Sequence, residues 1–211
     1  MKKINNIEMY FTQSMSSPVV QEFKNEFVRK SIHFLIAFVP AIAALNRDFA
    51  VFMLLSGIIF YIYLEGLRRS GIEVPFYSMI TRTASRRRDK NRFVLGPLTL
   101  GAGALAALLF LPETPAKIAV YALAFGDGFA SLVGRVFGRV RPAILFGKSL
   151  EGSLSCFFSV VIVSWYVCGD AKTALIAAAA ATVFEAMPLE DYDNIVIPLA
   201  AGIAAKLCLG L

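Results

Sequence analysis

The sequence predicts an all-α integral membrane protein that crosses the bilayer about seven times, with its N-terminus in the cytoplasm. Three observations carry this reading. The 211-residue chain is 57% hydrophobic, with a mean hydropathy of +0.66, whereas soluble domains are about 45–50% apolar. Several apolar runs approach the roughly 20 residues that a helix needs to cross a hydrocarbon core of about 30 Å. The cations, finally, fall almost entirely into alternate loops, as the positive-inside rule requires.

Residues 1–13 place Ile4, Ile7, Tyr10 and Phe11 at near-helical spacing behind Lys2 and Lys3. That pattern fits a short helix lying in the interface or a partly unfolded tail. Residues 14–18 break it, with Ser17 as N-cap and Pro18 at the first position of the next helix. Because no apolar h-region precedes residue 27, the first span is expected to serve as its own insertion signal rather than follow a cleaved leader. We divide the chain into an N-terminal cytoplasmic or interfacial segment, 1–26, and one transmembrane domain, 27–211. Its spans are expected at 27–45, 49–67, 93–111, 116–134, 150–168, 172–187 and 194–210. The last two are short, and 172–210 could instead pack as a re-entrant pair.

With the N-terminus inside, seventeen of the 21 Lys and Arg residues face the cytoplasm. Only Arg47, Lys117, Lys172 and Lys206 face the other side. The net charge of +6 and pI near 9.3 therefore read as orientation and attraction to lipid headgroups, not as nucleic-acid binding. The run Arg86-Arg87-Arg88 reads the same way. Cys156, Cys168 and Cys208 lie in apolar surroundings without metal-ligand or redox spacing, so they read as small apolar residues. The absence of a targeting segment suits a multi-pass protein of a bacterial inner membrane.

The most informative stretch is 125–135. Asp127, flanked by Gly126 and Gly128, sits in a segment apolar enough to cross a bilayer. A charge in such a place is costly and marks a candidate functional site. On a helix, Asp127, Ser131, Gly134, Arg135 and Gly138 share one face. The bland alternative is a tight helix crossing with one satisfied Asp. Under the predicted topology other polar residues gather on the same side of the membrane. Glu26, Arg29, Lys30 and His33 share a face at the start of span one. Glu65 lies at the inner end of span two. Lys148 and Glu151 open span five, and Glu185, Glu190, Asp191, Asp193 and Asn194 surround the last turn.

Each group has a chemistry and a plainer alternative. Arg29 and Lys30 can clamp phosphate or snorkel to lipid headgroups. His33, the single histidine, is more often structural than reactive. Carboxylate and amide oxygens around residues 190–194 suit Mg²⁺, or form a solvated turn in which Asn194 caps a helix. Residues 147–153 are not a P-loop, because Pro142 stands where that motif needs Gly. They still put Lys148, Ser149 and Ser153 at a helix start, where amides and the dipole favour phosphate. Gly96-Pro97 shapes the entry of span three.

Taken together, these pieces resemble the CTP-dependent lipid kinases, a family that includes dolichol kinase, phytol kinase and the yeast-type diacylglycerol kinase. The matching residues are Arg29-Lys30 with His33, Gly96-Pro97, Gly126-Asp127-Gly128 through Gly134-Arg135, Lys148-Ser149 with Gly152-Ser153, and Asp193-Asn194 before Ile197-Pro198-Leu199. They span most of residues 28–200. The resemblance implies an Mg²⁺-dependent transfer of the CTP γ-phosphate to the hydroxyl of a membrane lipid alcohol, namely a polyprenol, dolichol, phytol or diacylglycerol, at the cytoplasmic face. It implies catalytic roles for Asp127, Lys148, Arg29 and Lys30. Substrate would be bound by Gly126, Gly128, Ser131, Gly134, Arg135, Ser149, Gly152 and His33, and the metal by Asp127, Asp193 and Asn194; Glu151, where many relatives of the phytol kinase type carry Trp or Ala nearby, is a further metal candidate. Expected partners are CTP, the lipid alcohol and surrounding membrane lipids, with no nucleic acid; the sequence leaves the acceptor and the oligomeric state open.

Two other readings compete. Residues 134–153 also look like the signature of CDP-diacylglycerol synthase, a phosphatidate cytidylyltransferase that attacks the α-phosphate of CTP. Against it, the chain is short for that family and lacks its tandem Asp-x-Lys-Arg pattern. A small lipid transporter or scramblase is the non-enzyme reading, but its sites are expected near the bilayer midplane between repeated halves. Here the polar residues cluster at one face.

Overall fold

A computed structural model describes residues 18–72, 74, 75, 77, 81 and 92–211. The expected interfacial helix at 1–13, the Ser17 cap and the Arg86-Arg87-Arg88 run lie outside the described residues. The described residues form an all-α bundle. Helix α1 (Pro18–Leu35) continues through a 3₁₀ turn (Ile36–Phe38) into α2 (Val39–Leu45). The tightening has a local cause: Pro40 has no N–H to give the carbonyl of Ile36. Helix α3 (Arg47–Arg69) is capped by Asn46, whose Oδ1 accepts from Phe49 N at 2.9 Å.

Helix α4 (Gly96–Phe110) opens on Gly96-Pro97 as the sequence predicts. Next comes a continuous helical run, α5 (Glu113–Tyr121), a π-helical stretch (Ala122–Asp127) and α6 (Gly128–Val136). Helix α7 (Leu150–Cys168) is capped by Ser149, α8 (Ala171–Ala186) by Asp170, and α9 (Asp193–Leu209) completes the bundle. The run Glu113–Val136 is the most buried of the long helices and forms the axis of the molecule. Helix α1 packs on α6, α7 on α6 and the π stretch, α8 between α7 and α9, and α9 on α4 and α5.

Each expected span falls on a helix. Four helical stretches are long and apolar enough to cross a membrane: Asn25–Leu45, Arg47–Arg69, Glu113–Val136 and Leu150–Cys168. Helices α4, α8 and α9 have 15, 16 and 17 residues. At about 1.5 Å per residue they reach roughly 22–26 Å, less than the ~30 Å hydrocarbon core.

Small residues let these helices come close, the usual means of association where lipid removes the hydrophobic drive. One core is built on Ala122, Ala130, Cys156, Val160, Ala178, Ala181, Ile197 and Ala201. At Gly103 a Cβ would stand 1.9 Å from the carbonyl oxygen of Asn194, so only glycine allows α4 and α9 to touch there.

Candidate functional site

Asp127 is the last residue of the π-helical stretch, and the two glycines beside it explain how a carboxylate is brought into the bundle. A Cβ on Gly126 would lie 2.8 Å from Val160 Cγ2, and one on Gly128 2.7 Å from Phe34 Cε1. Their absence lets the helix lie flush against both α7 and α1. A π turn inserts an extra residue and re-aims the side chains near it. The result places Asp127 against α1, where Lys30 Nζ donates to Asp127 Oδ2 and His33 Nδ1 lies 3.2 Å from the same oxygen. All three side chains are buried.

Two further buried acids organise the neighbouring cations. Glu26 Oε1 accepts from Arg29 Nη2 at 2.6 Å, and Glu26 Oε2 lies 3.0 Å from Arg135 Nη2. One carboxylate thus holds a guanidinium from α1 and one from α6. Lys148 Nζ donates to the backbone oxygen of Glu185 and lies 3.1 Å from Glu185 Oε1. Ser153 Oγ donates to Glu185 Oε2 at 3.0 Å. Ser149 Oγ accepts from Gly152 N at 3.1 Å and so caps α7. Gly134 has to be small: a Cβ there would sit 2.9 Å from that capping hydroxyl.

These groups enclose a cavity of about 530 Å³. Of the residues singled out in the sequence, Arg29, Asp127, Ser131, Gly134, Arg135, Lys148, Ser149, Gly152 and Asp193 line it. Asp127, Ser131, Gly134 and Arg135 do so along one helix face, whereas Gly138 lies past the end of α6. Lys30 and His33 stand behind Asp127, and Gly126 and Gly128 act through packing.

Three expected members lie elsewhere. The carboxylate of Glu151 accepts from the backbone N–H of Arg139 and Val140, at 3.0 and 3.2 Å. Asn194 Nδ2 donates to Thr99 Oγ1 at 2.9 Å and joins α9 to α4; the cap position of α9 is Tyr192. Glu65 belongs to a separate cluster. It takes two bonds from Arg68 at 2.6 and 2.7 Å, one from Tyr77 Oη at 2.8 Å and one from Val94 N at 2.9 Å. The expectation of a single polar site thus divides into two clusters, because Glu65 is turned toward the segment that precedes α4.

Glu26, Glu185 and Glu190, which the sequence places among the polar residues of the cytoplasmic side, also line the cavity, and so does Arg141, to which the sequence reading gives no site role. Glu185 stands out in the sequence as the single ionisable residue after Lys172 in the alanine-rich α8. Arg141 is one of the cations that the sequence explains by orientation alone. Among the described residues, no three His, Cys, Asp or Glu side chains converge to hold a metal by themselves. The oxygen donors Asp127 and Asp193 share the cavity, which suits a hard cation that arrives with phosphate oxygens as its other ligands.

The chain is 30% identical over 166 residues to phytol kinase 1, chloroplastic, of Arabidopsis thaliana, a match covering 69% of this chain and 55% of the relative. It is 33% identical over 154 residues to phytol kinase of Synechocystis sp., covering 67% and 66%. It is 26% identical over 152 residues to CTP-dependent diacylglycerol kinase 1 of Saccharomyces cerevisiae, covering 69% and 51%. The chain spans about half the length of the plant and yeast relatives it matches. No protein-family model matches the chain, and no solved structure matches it significantly.

Proposed function

The chain belongs to the family of the phytol kinases and CTP-dependent diacylglycerol kinases, and from that membership and the cavity's chemistry we propose that it transfers the γ-phosphate of CTP to the hydroxyl of a membrane lipid alcohol. The observation that carries the reading is the cavity itself. Arg29, Arg135, Arg141 and Lys148 surround a space that also holds the buried carboxylate of Asp127. Phosphoryl transfer is mainly positioning plus charge neutralisation, and this set supplies both.

In this reading the triphosphate enters from the cytoplasmic side. Arg29 and Arg135, fixed by Glu26, take its oxygens, and Lys148 at the start of α7 adds a third cation. The amides at the α7 N-terminus lend further positive potential. Lys30 holds Asp127 in place and balances its charge. Asp127 orients the acceptor hydroxyl and takes its proton as its oxygen bonds to the γ-phosphorus and the bond from that phosphorus to the β,γ-bridging oxygen breaks, releasing CDP. Mg²⁺ would be held by Asp127 and Asp193 with phosphate oxygens, and would supply charge neutralisation across the phosphates. Apolar surface on α1 and α6 keeps the lipid chain in the bilayer while its hydroxyl reaches headgroup depth.

The test is product identity. Purified protein in lipid nanodiscs is given Mg²⁺, CTP or ATP, and a panel of phytol, polyprenol, diacylglycerol and phosphatidate. Mass spectrometry is expected to show CDP and a phosphorylated alcohol from CTP. Pyrophosphate with a CDP-lipid would move the chain to cytidylyltransferase chemistry and overturn the proposal.

A further inference from the structure

Between α6 and α7 lies a short segment with a single 3₁₀ turn (Ala143–Leu145), and large apolar side chains stand exposed on it beside Arg139 and Arg141. Phe137 is 64% exposed, Ile144 78% and Phe146 65%, and Val140 is exposed beside them. Phe146 adopts φ = 49°, in the left-handed region that a bulky residue rarely enters. The fold therefore accepts backbone strain there and still leaves the ring exposed.

Several backbone groups of the same segment are paired from within. Glu151 accepts from the amides of Arg139 and Val140. Leu150 N donates to Val140 O at 2.9 Å, and Lys148 N to Leu145 O at 2.9 Å. Arg141, itself exposed, donates to Gly147 O at 2.6 Å and Gly134 O at 3.2 Å. Irregular backbone facing lipid is excluded from the hydrocarbon core, so this segment belongs at headgroup level, with its apolar side chains reaching toward the acyl chains. The segment also joins two helices long enough to cross a membrane, Glu113–Val136 and Leu150–Cys168. Its apolar surface is continuous with theirs through Val136 and Leu150, both exposed. Arg135 and Arg139 are exposed at the same level and match an anionic headgroup layer.

We infer that residues 136–146 form a ledge inserted into the headgroup and upper acyl region of the leaflet at the cavity's mouth. The occupant of the apolar surface is lipid. Glu151, a metal candidate in the sequence, is the clamp that keeps the ledge rigid. Because Arg141 and Gly147 also line the cavity, the ledge would bring membrane lipid next to the reacting groups. That consequence rests on the kinase reading; the placement of the ledge does not.

Trp165 is the single tryptophan and lies near the far end of α7, so a Trp165→Phe background gives a silent chain. Into it Phe146→Trp, Ile144→Trp or Val140→Trp is introduced singly. Each protein is reconstituted into phosphatidylcholine and phosphatidylglycerol vesicles, with or without acyl chains brominated near the headgroup. The ledge predicts blue-shifted emission, loss of most of the signal in brominated vesicles and resistance to aqueous iodide. Iodide quenching without bromolipid quenching would place the segment in water and overturn the inference. Resistance to both quenchers would place it in a protein interface and overturn it equally. Three positions are used so that a variant that fails to fold does not decide the matter.

Discussion

Among the described residues, buried charge gathers in two clusters at the ends of the helices, built alike but differing in the space beside them. Around Glu65, a fully buried carboxylate is saturated by Arg68, Tyr77 and the Val94 amide, while Tyr61 Oη donates to Val94 O at 2.6 Å. None of these groups faces the large cavity. Around Asp127 the same kinds of pairs occur, Glu26 with Arg29 and Arg135, Glu185 with Lys148, Asp127 with Lys30, yet they open onto about 530 Å³ of space. A buried ion pair by itself is weak evidence of function. What separates the two regions is room for a ligand beside the paired charges.

Substitutions can sharpen that contrast. The largest effect is expected from Asp127→Asn, which keeps the shape but removes the charge and the proton acceptor. CTP-dependent turnover in nanodiscs should fall at least about a hundredfold; full activity in a folded, inserted variant would remove Asp127 from the chemistry. Glu26→Gln loosens two arginines without emptying the site. Its KM for the nucleotide should rise about tenfold, equivalent to ~1.4 kcal/mol, with a smaller change in kcat, as read from initial rates at varied CTP. Glu65→Gln acts on the closed cluster. It should lower stability by about 1–3 kcal/mol, the cost of leaving buried partners incompletely satisfied, seen as an earlier thermal transition. Turnover per folded molecule should stay within about twofold, a range in which a binding or chemical step has lost well under 1 kcal/mol. Tyr77→Phe removes one bond to Glu65 and should cost about 0.5–1.5 kcal/mol, measured the same way, with no change in KM.

Much of this arrangement is readable in the chain. Hydropathy places the helices, because an apolar run of bilayer length has few alternatives. Asp127 stands out because a charge between two glycines in such a run has to be compensated. Helical spacing on the first span puts Lys30 and His33 on one face, but their pairing with Asp127 is visible only in the fold. The sequence does not reveal direction. Nothing local distinguishes Glu65, which turns away from the cavity, from Glu185, which turns into it; each is an acid near the end of an apolar helix. The same holds for Glu151, whose place beside Lys148 suggested the site, although its carboxylate is taken by the amides of residues 139 and 140 across a reversing chain. The π turn that aims Asp127 also leaves no clear mark in residue spacing. The shortness of α8 and α9 is legible in the sequence, whereas α4 starts at Gly96-Pro97, later than its expected span, because hydropathy averaged over a bilayer length blurs the turn before it.

The central claim, that the open cluster binds nucleotide and the closed one only holds the fold, is tested most directly with a matched pair. Lys148 and Arg68 each pair with a buried glutamate. Isothermal titration of CTP with Mg²⁺ into the wild type, Lys148→Met and Arg68→Met compares them. The account predicts that Lys148→Met binds CTP at least about tenfold more weakly, a loss of ~1.4 kcal/mol. It predicts that Arg68→Met binds as the wild type does, although it melts earlier. Undiminished binding by Lys148→Met, or its loss in a folded Arg68→Met, would contradict it.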